Sequence, residues 1–149
     1  MRFLTLTMLA MLLTGLTSAR AEDDVSASRA ITVYKSPTCG CCTAWAEYLE
    51  QSGFQVSVVN QHHLSAIKAR YGIDRPLQSC HTAVIDGYVI EGHVPVDDIL
   101  RLLIEKPDAR GLTAPGMPAM SPGMHSLEPK GYDVLLFDRT GRASVYSRY

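Results

Sequence analysis

Residues 36–50 read SPTCGCCTAWAEYLE and place three of the chain's four cysteines within four positions. The residues just before them, 30–35, are rich in β-branched side chains and predict a strand. A helix is predicted over 41–52, because apolar side chains recur there at helical spacing before a glycine. Those apolar residues are Trp45, Tyr48 and Leu49, and the glycine is Gly53. The cysteines therefore lie where a strand gives way to a helix.

Cys39 and Cys42 form a Cys-x-x-Cys pair at the predicted helix N-terminus, with Cys41 between them. Free N–H groups and the positive end of the helix dipole favour negative charge at such a position. Cysteines placed there have a lowered thiol pKa and form thiolates more readily. The stretch therefore indicates a reactive or metal-binding thiol site.

The rest of the pattern alternates strands and helices and resembles a thioredoxin or glutaredoxin domain. Strands are predicted over 30–35, 54–59, 81–85 and 88–90, and helices over 41–52, 63–71 and 95–106. The order β-α-β-α-β-β-α predicts an α/β protein in which helices flank a central mixed sheet. Asp86-Gly87 is a typical two-residue hairpin turn between the last two of these strands.

A different composition marks the C-terminal part. Residues 111–124, GLTAPGMPAMSPGM, are dominated by glycine, proline and methionine and predict a loop without regular structure. A final hairpin is predicted from strands over 133–137 and 143–146. The predicted fold is therefore a thioredoxin-like α/β domain with a C-terminal Met/Pro/Gly loop and a β-hairpin.

The first 21 residues have the pattern of a secretory signal peptide. Arg2 supplies a positive start, residues 3–16 are mostly apolar, and Ala19-Arg20-Ala21 has the small-x-small form of a cleavage site. A membrane anchor is the alternative, but the apolar run is shorter than the ~20 residues that span a bilayer. The chain is thus predicted to be periplasmic and divided into a signal peptide (1–21), a flexible leader (22–29) and a single metal-binding domain (30–149).

The net charge and the predicted export exclude several classes of function. Without Arg2 and Arg20, the 14 basic side chains become 12 against 15 acidic ones, a net charge of about −3. No basic patch suggests nucleic acid, and no later segment suggests a membrane span. Exported thiols are usually paired or metal-bound. Two ordinary disulfides are disfavoured, because a bridge between the neighbours Cys41 and Cys42 would be strained.

The glutaredoxin pattern predicts, by analogy, where the fourth cysteine, Cys80, lies relative to the other three. In that pattern a cis-proline before the third strand packs against the Cys-x-x-Cys loop. The stretch CHTAVIDG, residues 80–87, places His81 at the proline position and Cys80 just before it. The analogy therefore predicts that Cys39, Cys41, Cys42 and Cys80 converge at one helix end.

Converging thiolates predict a soft metal, which means Cu(I), zinc or an iron–sulfur cluster. Zinc usually takes paired Cys-x₂₋₄-Cys knuckles, and the adjacent Cys41 and Cys42 fit one tetrahedron poorly. Iron–sulfur clusters are uncommon in proteins that are exported unfolded. Adjacent thiolates suit a cluster in which each sulfur bridges two metal ions. The predicted cofactor is therefore copper, as a multinuclear Cu(I) thiolate cluster.

Other side chains are candidates for additional ligation or for support of the ligands. They are His81, Met117, Met120, Met124 and His125. The alternative for the methionines is that they fill gaps or cover the cleft. His62 and His63 are predicted to be solvated. His93 is predicted to form the start of the third helix, with a metal role as the less favoured alternative.

Three stretches together resemble the CopG family of periplasmic copper-resistance proteins. They are YKSPTCGCCTAWAEYLEQSGF, GIDRPLQSCHTAVIDGYVIEGHVPVDDILRLL and GLTAPGMPAMSPGM. The resemblance spans residues 31–137 and implies a thioredoxin-like fold, a role in copper tolerance and redox interconversion of Cu(I) and Cu(II). It also implies a cysteine-bridged copper cluster on Cys39, Cys41, Cys42 and Cys80. The chain departs from the family's usual loop, GMPxGSPGME, at Ala119-Met120 and at His125, which alters the outer donors.

Three functions remain open on this reading. The first is a copper oxidoreductase that holds Cu(I) and changes its oxidation state. The second is a copper buffer or chaperone without turnover. The third is a thiol–disulfide oxidoreductase that uses Cys39 and Cys42. The candidate partners are copper ions together with periplasmic copper carriers or exporter components, and whether the chain is an enzyme stays undecided.

Overall fold

The computed structural model of the chain describes residues 29–124 and 131–149. Within them, seven strands form one mixed sheet in the order β2-β1-β3-β4-β5-β6-β7. The strands are β1 Ala30–Lys35, β2 Gln55–Asn60, β3 His81–Ile85, β4 Tyr88–Glu91, β5 Gly111–Thr113, β6 Asp133–Phe137 and β7 Ala143–Arg148. The helices are α1 Gly40–Gln51, α2 Ser65–Arg70 and α3 Val96–Glu105, with a 3-10 turn at Arg75–Leu77. The predicted α/β class with a mixed sheet is confirmed.

Two of the predicted segments lie outside the described residues. These are the signal peptide, 1–21, and all but the last residue of the leader, 22–29. Arg29, that last residue, accepts the N–H of Gln55 at 2.9 Å through its carbonyl oxygen. None of the helices in the described ranges is long and apolar enough to cross a membrane.

The first four strands position the cysteines. β1 and β2 are parallel, β3 pairs antiparallel with β1, and β4 forms a hairpin with β3. The hairpin turn Asp86-Gly87 has φ angles of 46° and 79°, the left-handed conformation that a type I′ turn requires. The register pairs Lys35 with His81. The end of β1, which leads into the cysteine loop, therefore lies beside the start of β3, which follows Cys80.

The prediction of an irregular loop over 111–124 is wrong at its start. Gly111–Thr113 forms β5, which pairs parallel with β4 and antiparallel with β6 and so joins the two halves of the sheet. Three residues are too few to reveal a strand period. A Cβ atom on Gly111 would lie 1.8 Å from the carbonyl oxygen of Val89. Close packing against β4 therefore requires glycine at position 111, although glycine is normally disfavoured inside strands.

The core holds the cysteine-bearing helix α1 firmly. Apolar side chains from the sheet, α1 and α3 form one cluster, whose large fully buried members include Ile31, Trp45, Leu49, Ile85, Ile90, Ile99, Leu102 and Leu112. Burial of each such side chain is worth about 1.5–3 kcal/mol. Trp45 also donates its indole N–H to the carbonyl oxygen of Val94 at 2.9 Å. Packing therefore fixes α1 independently of anything that its thiols bind.

Candidate metal centre

Two loops deliver the four cysteines. Cys39 is the N-cap of α1, and its sulfur accepts the backbone N–H of Cys42 at 3.3 Å. Cys41 and Cys42 lie in the first turn of that helix, where orphan N–H groups need acceptors. Cys80 immediately precedes β3. The pairing of β1 with β3 brings this second loop to the N-terminus of α1.

The sulfur atoms of Cys39, Cys41, Cys42 and Cys80 all lie within 4.8 Å of one another. The Cys42 and Cys80 sulfurs are 3.5 Å apart, and the Cys39 and Cys41 sulfurs are 3.6 Å apart. Cys42 is fully buried and the other three are partly buried. A soft cation in this space would have sulfur donors from both loops within reach.

Cys39 and Cys42 are joined by a disulfide, while Cys41 and Cys80 are free thiols. Burial raises the pKa of the Cys80 thiol to about 11, with the neighbouring Cys41 adding to the effect. Without a metal, Cys80 therefore keeps its proton at neutral pH. The thiol cluster in this structure therefore contains one disulfide and two free thiols.

His93 joins the site although the sequence placed it at the start of the third helix. Its Nε2 atom lies 3.1 Å from the Cys80 sulfur, and its Nδ1 atom lies 2.7 Å from the carbonyl oxygen of Pro122. A carbonyl oxygen only accepts hydrogen bonds, so Nδ1 carries the proton and Nε2 presents a lone pair. Burial lowers the pKa of His93. Metal-binding histidines are usually oriented by such a backbone bond.

The hairpin register is the signal that identifies His93. Thr82 pairs with Glu91 across the β3–β4 hairpin, and the backbone N–H of Gly92 bonds to the carbonyl oxygen of His81. Continuing this pairing by one more step places His93 opposite Cys80. Counting outward from the Asp86-Gly87 turn would have located the contact without coordinates.

His81 lies in the same cluster and is fully buried. Its Nδ1 atom is 3.4 Å from the Cys80 sulfur, and its ring centroid is 4.4 Å from that of Trp45. Burial, followed by the charges of His93 and Lys68, sets the pKa of His81 well below its usual value. Its Nε2 atom is buried without a hydrogen-bond partner among the described residues. The ring is therefore a neutral imidazole with unused bonding capacity.

Residues 114–124, called the methionine loop below, cover one side of the centre. Pro122 contacts His93, as described above, and a Cβ atom on Gly123 would lie 2.9 Å from the carbonyl oxygen of Cys41. Met124 is partly buried, whereas 59% of Met117 and 49% of Met120 are exposed. The candidate donor His125 lies outside the described residues. Metal binding by these three methionines and by His125 stays a prediction.

The donors present fit a soft or borderline metal ion. Four sulfurs form one group of donors, and the Cys80 sulfur forms a second group with one nitrogen from each of His81 and His93. One of these imidazoles also has a buried nitrogen without a partner in the described structure. Sulfur and imidazole are the preferred donors of copper and zinc. No described carboxylate is part of either donor cluster, which disfavours hard ions such as Mg²⁺ or Ca²⁺.

Two solved structures, named "Copper resistance protein copG" in Form 1 and Form 2, are similar to this chain with a TM-score of 0.76. Each is 45% identical to it over 80% of this chain, and the matches cover 96% and 97% of the two solved chains. A family model described as a protein of unknown function, DUF411, matches residues 77–124. A search of curated proteins finds no match. Similarity of this extent shows that the chain belongs to the CopG family of copper resistance proteins.

Proposed function

We propose that this chain is a periplasmic copper-binding protein whose reduced form holds a multinuclear Cu(I) cluster on Cys39, Cys41, Cys42 and Cys80. One observation carries the proposal, namely that these four sulfur atoms lie within 4.8 Å of one another. Thiolate sulfur is a soft donor and favours Cu(I) over harder ions. The names of the two solved relatives support copper, rather than zinc, as the cargo.

Loading through all four sulfurs requires reduction of the Cys39–Cys42 disulfide, because a disulfide has no thiolate to offer. The reduction takes up two electrons and two protons and yields two thiols. Metal binding then displaces thiol protons. Since burial raises the pKa of Cys80, the proton on this thiol is among those that metal binding displaces. We expect copper uptake to depend on a reductant and to release protons.

The proposal includes a thioredoxin-like core formed by β1–β4 and α1–α3. The strand order β2-β1-β3-β4, with β2 parallel to β1, β3 antiparallel to β1 and β4 antiparallel to β3, supports it. In this reading β5–β7 extend the core. Export rests on the pattern of residues 1–21, and mass spectrometry of periplasmic extracts tests it. The expected mature N-terminus is Glu22, and an intact chain in the membrane fraction would contradict cleavage of residues 1–21.

Within this function, copper can either be stored or change its oxidation state. Redox interconversion of Cu(I) and Cu(II) predicts that the loaded protein, mixed with oxygen, produces a protein-bound Cu(II) signal in electron paramagnetic resonance. A buffer or chaperone would instead keep its Cu(I) and pass it to periplasmic carriers or exporter components. The same spectra, recorded with and without a competing Cu(I) chelator, distinguish the two outcomes.

A second candidate function, thiol–disulfide oxidoreductase activity, is favoured by the Cys39–Cys42 disulfide at the N-terminus of α1. A helix N-terminus stabilises the thiolate that is released on exchange. This function predicts reductase activity that survives Cys41→Ser and Cys80→Ser. The copper cluster predicts that either substitution cripples metal loading.

Anaerobic titration of the reduced protein with Cu(I) tests the main proposal. Metal stoichiometry and sulfur-to-copper charge-transfer absorbance are followed together in the wild type, Cys41→Ser and Cys80→Ser. A plateau above one copper per chain, lowered in both variants, is expected. Tight binding of a single zinc with little copper uptake would refute the cluster. His62→Ala, which removes an exposed histidine, serves as the control.

A further inference from the structure

Ser79, which directly precedes Cys80 in the chain, bonds to two other segments. Its backbone N–H donates to the Glu91 carboxylate at 2.6 Å, and its hydroxyl donates to the carbonyl oxygen of Gly116 in the methionine loop. Ser79 and Gly116 also form a parallel β-bridge, in which the N–H of Gly116 donates to the carbonyl oxygen of Gln78 at 2.9 Å. Ser79 therefore joins the backbone next to Cys80 to the end of β4 and to the methionine loop.

The residue that follows β4 leaves room for these contacts. Gly92 has a φ angle of 73°. A Cβ atom at this position would lie 2.5 Å from the Cβ atom of Ser79 and 2.8 Å from the carbonyl oxygen of Ala114. Glycine permits such a close approach because it has no side chain. Gly92 thus lets Ser79 and the start of the methionine loop pack against each other.

The methionine loop has a second point of contact, on α1. A Cβ atom on Gly123 would lie 2.9 Å from the carbonyl oxygen of Cys41 and 2.7 Å from the backbone nitrogen of Trp45. The loop therefore contacts both segments that carry cysteines. Gly116 contacts the segment that leads to Cys80, and Gly123 contacts the helix that carries Cys41 and Cys42.

Cys80 depends on such contacts more than the other cysteines do. Cys41 and Cys42 lie in α1, and Cys39 is the N-cap of that helix, which packing fixes. Cys80 lies before the first residue of β3, is only partly buried and is a free thiol. Its sulfur nevertheless lies 3.5 Å from the Cys42 sulfur. The position of this sulfur is therefore set by the residues next to it in the chain.

We propose that Ser79 is a positioning residue for Cys80, whose hydroxyl bond to Gly116 uses the methionine loop to hold the Cys80 thiol among the other sulfurs. The bond shields this thiol from solvent. The inference deepens the proposed function, on which it rests for the use of Cys80 as a copper ligand. It adds a residue that acts through its backbone neighbours without binding the metal.

Labelling of the full metal-free chain with N-ethylmaleimide tests the proposal. With the disulfide intact, only Cys41 and Cys80 are free to react, and peptide mass spectrometry measures each rate separately. Ser79→Ala should raise the Cys80 rate roughly threefold to tenfold, the equivalent of one hydrogen bond. The Cys41 rate should not change. The Ser79 hydroxyl also lies 3.9 Å from the Cys80 sulfur, and losing a donor there disfavours the reactive thiolate, so a faster rate reports exposure.

Ser52→Ala is the matched control for the loss of a hydroxyl. Ser52 donates to the carbonyl oxygen of Tyr48 at 2.8 Å, at the far end of α1, so both labelling rates should stay at their wild-type values. Unchanged Cys80 labelling in Ser79→Ala would overturn the proposal. Equal acceleration of Cys41 and Cys80 would also overturn it, because that result indicates general loosening of the fold.

A pair of glycine variants tests the same contact from the side of β4. Gly92 and Gly87 have φ angles of 73° and 79°, so alanine is strained at both, but at Gly87 no heavy atom lies within 4 Å of the added Cβ. Gly92→Ala should displace Ser79 and accelerate Cys80 labelling, whereas Gly87→Ala should not. Equal rates in the two variants would count against the proposal. If Gly92→Ala does not fold, Ser79→Ala decides alone.

The labelling experiment uses no metal, so its outcome is independent of copper loading. Failure of the Cu(I) titration would refute the cluster and leave the role of Ser79 in holding Cys80 unaffected. Failure of the labelling prediction would refute that role and leave the cluster standing.

Discussion

Glu91 accepts the backbone N–H of Ser79 at 2.6 Å, and Ser79 is the residue immediately before Cys80. The Glu91 carboxylate is fully buried, forms an ion pair with Lys68 and accepts the Thr82 hydroxyl at 2.6 Å. Burial raises the pKa of Glu91, and Lys68 opposes that rise. The buried Lys68–Glu91 ion pair thus holds the backbone next to Cys80 in place.

Removing the Glu91 charge should destabilise the protein strongly. Glu91→Gln keeps one oxygen that can accept from the Ser79 N–H, and its amide N–H can donate to the Thr82 hydroxyl. The substitution nevertheless leaves the Lys68 ammonium buried without a counter-charge. Breaking a buried pair from one side costs about 3–5 kcal/mol. Urea unfolding of the metal-free protein measures the loss.

The matched control for Glu91→Gln is the double variant Lys68→Met/Glu91→Gln. It removes the orphaned cation while keeping most of the lysine's volume, so it should regain most of the stability. A single variant as stable as the wild type, or a double variant no better than the single one, would show that the ion pair does not govern this region.

The methionine loop should respond differently to alanine at its two left-handed glycines. Gly123 and Gly116 have φ angles of 82° and 70°, so alanine is strained at both. At Gly123 the added Cβ would also lie 2.7 Å from the backbone nitrogen of Trp45, whereas at Gly116 no heavy atom lies within 4 Å. Gly123→Ala should displace the loop and remove the Pro122 bond to His93.

Cu(I) affinity of the reduced protein, measured against a competing chelator, and urea unfolding together check this difference. Gly123→Ala should weaken Cu(I) binding severalfold. Gly116→Ala should cost only the strain of a left-handed alanine, about 1–2 kcal/mol, and bind Cu(I) normally. Equal effects of the two substitutions on Cu(I) binding would show that contact of the loop with α1 does not support the metal centre.

Stability of the metal-free protein should fall on acidification. Burial lowers the pKa values of both His81 and His93 in the folded state. In the unfolded chain the pKa of a histidine is about 6.5. Below this pH the unfolded chain binds more protons than the folded chain, so the free energy of unfolding rises with pH and levels off above about 6.5. Each histidine contributes a slope of up to about 1.4 kcal/mol per pH unit below it.

Urea unfolding of the oxidised protein at pH 5.5 and pH 7.5 tests this dependence. The difference should shrink in His93→Gln, where one of the buried titrating groups is absent. It should persist in His62→Ala, whose histidine is exposed in the folded protein. Equal stability at the two pH values would mean that the buried rings are protonated in the folded state.

The exposed methionines should affect copper uptake more than stability. Met117→Leu/Met120→Leu removes two thioethers while keeping similar apolar volume, and surface changes of this kind usually stay within about 0.5 kcal/mol. If the thioethers capture incoming Cu(I), uptake should slow severalfold while the final stoichiometry is unchanged. Stopped-flow measurement of charge-transfer absorbance follows both quantities.

Met124→Leu is the comparison for the exposed pair, because Met124 is partly buried next to the loop contacts with α1. A lower final copper stoichiometry in this variant would identify Met124 as a ligand. Unchanged uptake rates in the double variant would exclude capture by Met117 and Met120.

Local sequence patterns located most of the secondary structure. β1 and the β3–β4 hairpin lie where β-branched runs and Asp86-Gly87 predicted them, and α1 begins one residue before its predicted start. The prediction failed at Gly111–Thr113, because the identity of a strand this short is decided by its two neighbours in the sheet. It also undervalued His93, whose relation to Cys80 is one of cross-strand register and not of spacing along the chain.

The sequence by itself determined which kind of metal this protein can bind, because residue type sets the softness of the donor atoms. Cysteines clustered along the chain indicate a thiol site before the fold is known. The four cysteines, the helix that follows them and the resemblance to the CopG family could all be read directly. Only the tertiary structure decided which histidines meet Cys80 and how far burial moves their pKa values. Those properties depend on strand register and on exclusion of water, which arise when distant segments pack together.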